Sequence, residues 1–577
     1  MIENNKKGYR ELLMHRMFLA IISNIVLQFF LVSSLIFITN ISINIVSWLQ
    51  NTWEAITSLR MWLYFLVFAF ITFLQGIIYS KSYLHHPPYL KNRFLKIQKV
   101  FTAQNLLRGM LCILIGSSLA WLHLSLRKSN RNLLIGNCST MYGSCLIEEH
   151  YFLLLGGLWT GLYFFITTSS YSLRYFHFTI IPQTKFSQFR KGISSMLPTV
   201  ASISLWPAIY FVIGYYFLGY HMRNFILCIA SVQIETKPLD SFPTLLNASL
   251  IFYLWLYQSI FILMNKTMAL LFEIFLTEWI PFEIQQNNVF DNNNPSMTLA
   301  DILSIENIPI MQHLGYLDLI TLAQKQKERR SILFTLSQPG GHPYNWNCII
   351  GKCLEIIQKF SDELIAVTVK SKEQQQLPSN SVITNSTMSN MPMFQSEHTY
   401  HMRSLVTEMV PSVNESCKPA ENEFFIYKYI KTKKEMLVTY FLSKPLIYYV
   451  FGEQEDTKLQ YALFKAQAVI WAAEAISSLS VVSIKEDSYG IVQKDLPIII
   501  NALLALKQSL DKLQKSNILT KKPQNSDRSV KQIFSSLRSA SKRSLYRITV
   551  GFEDYIYDLA LDITVMEQLQ PFLNYKE

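Results

Sequence analysis

The side chains able to do chemistry are few and poorly grouped. His85 and His86 stand beside Pro87 and Pro88 in a basic stretch, the nearest approach to an acid–base pair at a membrane surface, although the prolines equally mark a turn. His342 closes Ser337-Gln338-Pro339-Gly340-Gly341-His342-Pro343 with no carboxylate or nucleophile at a catalytic spacing, so it reads as a turn residue. Cys348 and Cys353 are spaced wrongly for a zinc knuckle. No glycine-rich phosphate loop, HExxH or nucleophile elbow occurs. Catalytic, cofactor and metal residues are therefore expected to be absent, and the chain is not expected to be an enzyme. Three smaller constellations remain. The Asn137-Cys138-Ser139 sequon is a glycosylation candidate, and Cys138 with Cys145 could bridge or stay as free thiols. Gly157 and Gly161 form a Gly-x-x-x-Gly face for close helix approach, within a bundle or between copies. Arg538, Lys542, Arg543 and Arg547 cluster on one predicted helix, as a solvated face or as a contact for an acidic partner or anionic lipid headgroups.

The elements that must position these residues are of two kinds. Of 577 residues 50% are hydrophobic and only 16% charged, whereas soluble domains carry about 25% charged residues. Uncharged runs fall at 17–40, 61–80, 109–126, 151–173, 196–219 and 242–265. About 20 residues of helix cross a hydrocarbon core of ~30 Å, and only helices satisfy their own backbone there. The spacing thus predicts an all-α chain with six membrane spans in its first half. Pro198 and Pro207 predict a kink in the fifth. No Asp, Glu, Lys or Arg lies inside these windows, which argues against a carrier or pump. The basic excess belongs to this half, with 20 Lys and Arg against 7 Asp and Glu in 1–265. It accompanies apolar segments rather than a polar patch, so direct nucleic-acid binding is not expected.

Fourteen basic residues, among them Lys6, Arg16, Lys81, Arg108, Lys185 and Arg190, fall on one side of the predicted spans. Six fall on the other: Arg60, Arg127, Lys128, Arg131, Arg223 and Lys237. The positive-inside rule places both ends in the cytosol and Asn137 in the lumen. After Asn265, Glu273, Glu278 and Glu283 interrupt the apolar pattern and suggest a helix leaving along the bilayer surface. Thr298 with Asp301 predicts a capped helix start, and 346–364 a further helix. The second half therefore reads as a membrane-proximal helical region at 266–369, a flexible polar linker at 370–422 and a helical domain at 423–577. In that domain, apolar stripes recur at 459–476, 499–513 and 530–559.

Four segments carry a resemblance: Gln312-His313-Leu314-Gly315-Tyr316-Leu317-Asp318-Leu319, the turn 336–343 with Asn345-Trp346, Ile470-Trp471-Ala472-Ala473-Glu474, and Tyr546-Arg547-Ile548-Thr549. Together they resemble the nuclear-division-cycle (Ndc) family of transmembrane nucleoporins over nearly the whole chain. The resemblance implies a membrane nucleoporin, not an enzyme. It would anchor the nuclear pore complex in nuclear membrane lipids and recruit soluble nucleoporins such as aladin-like and inner-ring membrane-binding ones, with self-association open. Phe451-Gly452 is the only Phe-Gly pair after the linker, so a direct part in the permeability barrier is not expected. The rival reading from residues alone is a multispan enzyme or lipid carrier of the endoplasmic reticulum.

Overall fold

The computed structural model describes residues 2–85, 88–126, 135–137, 144–170, 178, 183–230, 233–234, 239, 242–284, 298–336, 341–375, 433, 440, 444–453, 455–515 and 525–574. Helices α1 (Ile2–Thr39), α2 (Ile45–Thr57), α3 (Leu59–Leu84), α4 (Arg93–Val100) and α5 (Ala103–Leu126) are followed by α6 (Glu148–Ser170). Next come α7 (Lys185–Ile203), α8 (Leu205–Ala230), α9 (Phe242–Leu245) and α10 (Ala248–Leu276). The second half contains α11 (Leu299–Leu303), α12 (Pro309–Lys325), α13 (Lys327–Ser331) and α14 (Tyr344–Gln375). Beyond it lie α15 (Pro445–Phe451), α16 (Glu455–Ala462), α17 (Ala466–Glu486), α18 (Ile491–Lys515), α19 (Asn525–Gly551) and α20 (Ile563–Leu573). The exception to helix is a small sheet. Strand β1 (Ile135–Asn137) pairs antiparallel with β2 (Ser144–Leu146), which pairs in parallel with β3 (Gln233–Ile234). Strands of two or three residues have no alternation to betray them in sequence.

The chain divides into two units. One comprises Met1–Thr368 and Gln454–Glu577, the other Val369–Glu453. Within the second unit α15 exposes Leu446, Tyr448 and Tyr449. In the first unit, six stretches before residue 277 are long and apolar enough to cross a membrane, and a seventh, Lys458–Glu486, meets the same criterion. Their apolar windows range from 28% buried by protein in Leu59–Leu84 to 67% in Ala248–Leu276 and 72% in Lys458–Glu486, whose residues belong to the core of the helical half. Leu66, Phe70, Phe217 and Phe225 project outward from α3 and α8. Apolar area costs about 25 cal/mol per Å2 in water, so these faces belong against lipid, while α17 belongs in a protein core.

Three elements differ in detail from the sequence expectation. Lys185–Ile229 spans 45 residues, about 67 Å of helix and roughly twice a bilayer core. It is interrupted at Ser204, three residues before Pro207, whose ring removes the N–H that would bond Ile203. Helix α10 runs unbroken past Asn265 to Leu276, with Phe272 and Leu276 fully buried and Glu278 meeting cationic partners. Likewise α14 continues to Gln375, past the expected linker start at Lys370.

Two cores result. One lies within the bundle, around Leu35, Phe68, Ile115, Phe152 and Phe261. The other is continuous from Tyr9, Leu13 and Met17 of α1 and Phe272 of α10 into Leu314 of α12, Ile357 of α14, Leu503 of α18 and Leu545 of α19.

Candidate anchor and docking platform

The bundle is held by close contact, by a neutral polar pair and by a buried ion pair. Helices α5 and α6 cross where both are glycine. A Cβ on Gly157 would stand 2.5 Å from the Gly116 carbonyl oxygen, and one on Gly161 equally close to that of Cys112. Nearby, Gln75 Nε2 donates to Asn265 Oδ1 at 2.8 Å, joining α3 to α10. At the end away from the helical half, Glu148 is 1% exposed. It accepts from Arg223 Nη1 at 3.0 Å, Tyr215 Oη at 3.1 Å and the Leu239 backbone at 3.0 Å. This buried ion pair fixes the start of α6 to α8. In sequence Arg223 is only one of the six basic residues of the minority side, since a partner 75 residues away leaves no local pattern.

At the opposite end, charges and rings join the bundle to the helical half. Arg16 donates to the Glu278 carbonyl at 2.8 Å, and its guanidinium lies 3.8 Å from the Glu278 carboxylate, which Lys185 meets at 2.9 Å. Two residues expected on the basic side thus converge on one glutamate just beyond α10. Asp318 is fully buried. It accepts from Trp279 Nε1 at 3.1 Å, from the Phe282 backbone at 3.0 Å and from Arg329 Nη2 at 2.8 Å. His313 is also buried, with Nδ1 2.7 Å from the Pro309 carbonyl and its ring stacked on Phe178. Trp471 meets the same Phe178 edge-on, and Tyr89 packs against Tyr461.

The platform itself consists of long-range pairs over the core. Arg330 donates to both Glu486 oxygens at 2.8 Å, and Trp346 Nε1 to Asp495 at 2.8 Å. These hydrogen bonds hold the Glu486 carboxyl below the usual carboxylate range. Asp495, inside α18, therefore serves as an acceptor. The chain enters α18 through Asp487, which caps Val492 N at 3.0 Å, and Gly490 at φ +67°.

The basic cluster of α19 is engaged inside the fold. Arg538 pairs with Asp511 at 3.1 Å and Arg543 with Glu474 at 2.6 Å. Arg547 donates to Ser478 Oγ at 2.6 Å and to the Glu474 carbonyl at 3.3 Å, while Lys542 is half-buried. Arg543 retains the most exposure, 58% of its side chain.

Other singled-out residues scatter. Asn137 and Cys145 lie in β1 and β2. Cys138, His86 and Ser337 to Gly340 fall outside the described residues, as does most of 370–422. His85 and His342 are exposed and far apart in sequence, on different elements. Cys348 and Cys353 are free thiols, and burial pushes the Cys353 thiol well up. Among the described residues no group of His, Cys, Asp and Glu could hold a metal ion.

The family described as nucleoporin protein Ndc1-Nup matches residues 12–570. Nucleoporin NDC1 of Homo sapiens is 26% identical, over 92% of this chain and 92% of its own. Its Xenopus laevis counterpart is 24% identical over 92% and 94%. Nucleoporin Ndc1 of Drosophila melanogaster is 26% identical over 97% of both. The match runs through bundle and platform alike, which makes the chain a structural pore constituent rather than an enzyme. With its apolar helices supplying the membrane part, this chain belongs to the Ndc1 family of nucleoporins and is a membrane protein of the nuclear pore.

Proposed function

We propose that the chain anchors the nuclear pore complex in the nuclear envelope and that its helical half recruits soluble nucleoporins, aladin-like and inner-ring membrane-binding ones among them. The observation that carries this reading is the continuous core between the ends of α1, α3 and α10 and helices α11, α12, α14 and α16 to α20. A platform hung on a flexible tether could be pulled without loading the membrane; one sharing its core with membrane helices transmits force to them. In this reading both termini and the platform face the cytosol and pore, and Asn137 with Cys138 and Cys145 faces the lumen. The basic bias of 14 against 6 supports that orientation. Arg543, the most exposed member of the α19 cluster, is the residue there best placed to meet an acidic partner.

The test uses the tagged full-length chain carrying Leu503→Asp, which buries an unpaired carboxylate in the platform and leaves the bundle sequence untouched. We expect the variant to stay in membranes and to lose pull-down of soluble nucleoporins. Undiminished pull-down by a chain whose platform has unfolded would sink the recruitment reading.

A further inference from the structure

A cavity of about 500 Å3 opens in the bundle next to its junction with the platform, inside the roughly 300–1,000 Å3 range of ligand sites. Its walls are apolar, with Phe164 and Phe165 of α6 and Ile262 of α10. Tyr79 and Met268 line it too and also belong to the core shared with the platform, which fixes the cavity at that end of the bundle. Its polar lining is cationic or neutral. Arg108 of α5 and Lys266 of α10 both contribute, the Arg108 guanidinium lying 6.0 Å from the Phe165 ring centroid. Gln75 and Asn265 are bonded to each other. None of the described residues lining the cavity is acidic, and Lys266 has no ion pair among the described residues.

We propose that this cavity binds one anionic glycerophospholipid, with an acyl chain between α6 and α10 and the phosphate between Arg108 and Lys266. Two cations lining an apolar slot, with no carboxylate among the described lining residues, select for negative charge attached to a long hydrocarbon. A bound lipid there would fill the space between α3, α5, α6 and α10 beside the junction, acting as part of the anchor. The proposal rests on these helices crossing the bilayer and is independent of nucleoporin recruitment, because its readout is lipid retention by the isolated chain.

The full-length chain, purified in detergent, is titrated with dioleoyl phosphatidylserine or dioleoyl phosphatidylcholine, and bound lipid is counted by native mass spectrometry. We expect one phosphatidylserine per chain, retained in clear preference to phosphatidylcholine. In Arg108→Gln/Lys266→Gln the preference should fall by roughly thirty-fold, two cations' worth of headgroup attraction. Ala269→Trp, which fills the cavity from the half-buried side of α10, should lose the lipid with both charges intact. Equal retention of the two lipids by the native chain overturns the proposal, and so does an unchanged preference in the double variant. If a variant does not fold, as judged by helical circular dichroism, the native chain's selectivity decides alone.

Discussion

At Asp318 the platform depends on one fully buried carboxylate satisfied by Trp279, the Phe282 backbone and Arg329. Removing either charged partner strands the other, a loss of about 3–5 kcal/mol for a buried pair. Asp318→Ala in the full-length chain should therefore lower the thermal midpoint by several degrees; a melt superimposable on the native one would refute the buried-pair account. The segment containing Asp318 is among those that betray the family in sequence, yet its task was illegible there, since its partners lie 11, 36 and 39 residues away. Glu486 adds a pH dependence. Its folded carboxyl is depressed by the hydrogen bonds from Arg330, so its stabilising share is present above the unfolded value of about 4.3 and fades as pH falls through the lower folded value. Arg330→Met should flatten the acid limb of stability between roughly pH 5 and 3, measured by denaturant midpoints at each pH. An unchanged acid limb would remove Glu486 from the account.

Helices were legible where hydrophobic period and length agree, and less so where tertiary contacts decide an end. The uncharged runs fall within or across the long helices of the bundle. The true extent of α10 was hidden because Glu273, which looks like an exit, is half-buried and Glu278 is paired. The start of α18 was hidden by Asp495, which resembles a cap and instead accepts Trp346. The crossing of α5 and α6 is the element-scale feature with the sharpest consequence. With carbonyl oxygens 2.5 Å from where a Cβ on Gly157 or Gly161 would stand, any larger side chain must push the backbones apart. Gly161→Leu should destabilise the bundle by at least the 1–3 kcal/mol typical of overpacking, read as earlier loss of helicity on unfolding from detergent into denaturant. Gly214→Leu is the control, since a Cβ there meets nothing within 4 Å and its variant should unfold like the native chain. If the two variants behave alike, close packing is not what these glycines supply.

Over the whole molecule, the membrane bundle and the platform cannot be separated as freely as the composition boundary near residue 265 implies. Hydropathy changes there, but Tyr9, Leu13, Tyr79, Tyr83, Phe272 and Leu276 are buried in the same core as Leu314, Leu364 and Leu503. Each large apolar side chain left unburied forfeits about 1.5–3 kcal/mol, and several would be bared together if the platform were made alone. Residues 299–577 expressed without the bundle should consequently expose an apolar face, associate by light scattering and bind a hydrophobic dye. The segment 376–422 behaves in the opposite way on the same reasoning. It is polar, aperiodic and rich in Ser and Asn, so its removal forfeits little burial, and closure entropy changes by only about 0.6 kcal/mol per doubling of loop length. The full-length chain lacking 376–422 should remain monodisperse in detergent, melt within a few degrees of the native chain and still reach the nuclear rim. A monomeric, dye-negative platform together with a misfolded deletion chain would reverse both assignments, placing the boundary at residue 265 and structural weight in the polar segment.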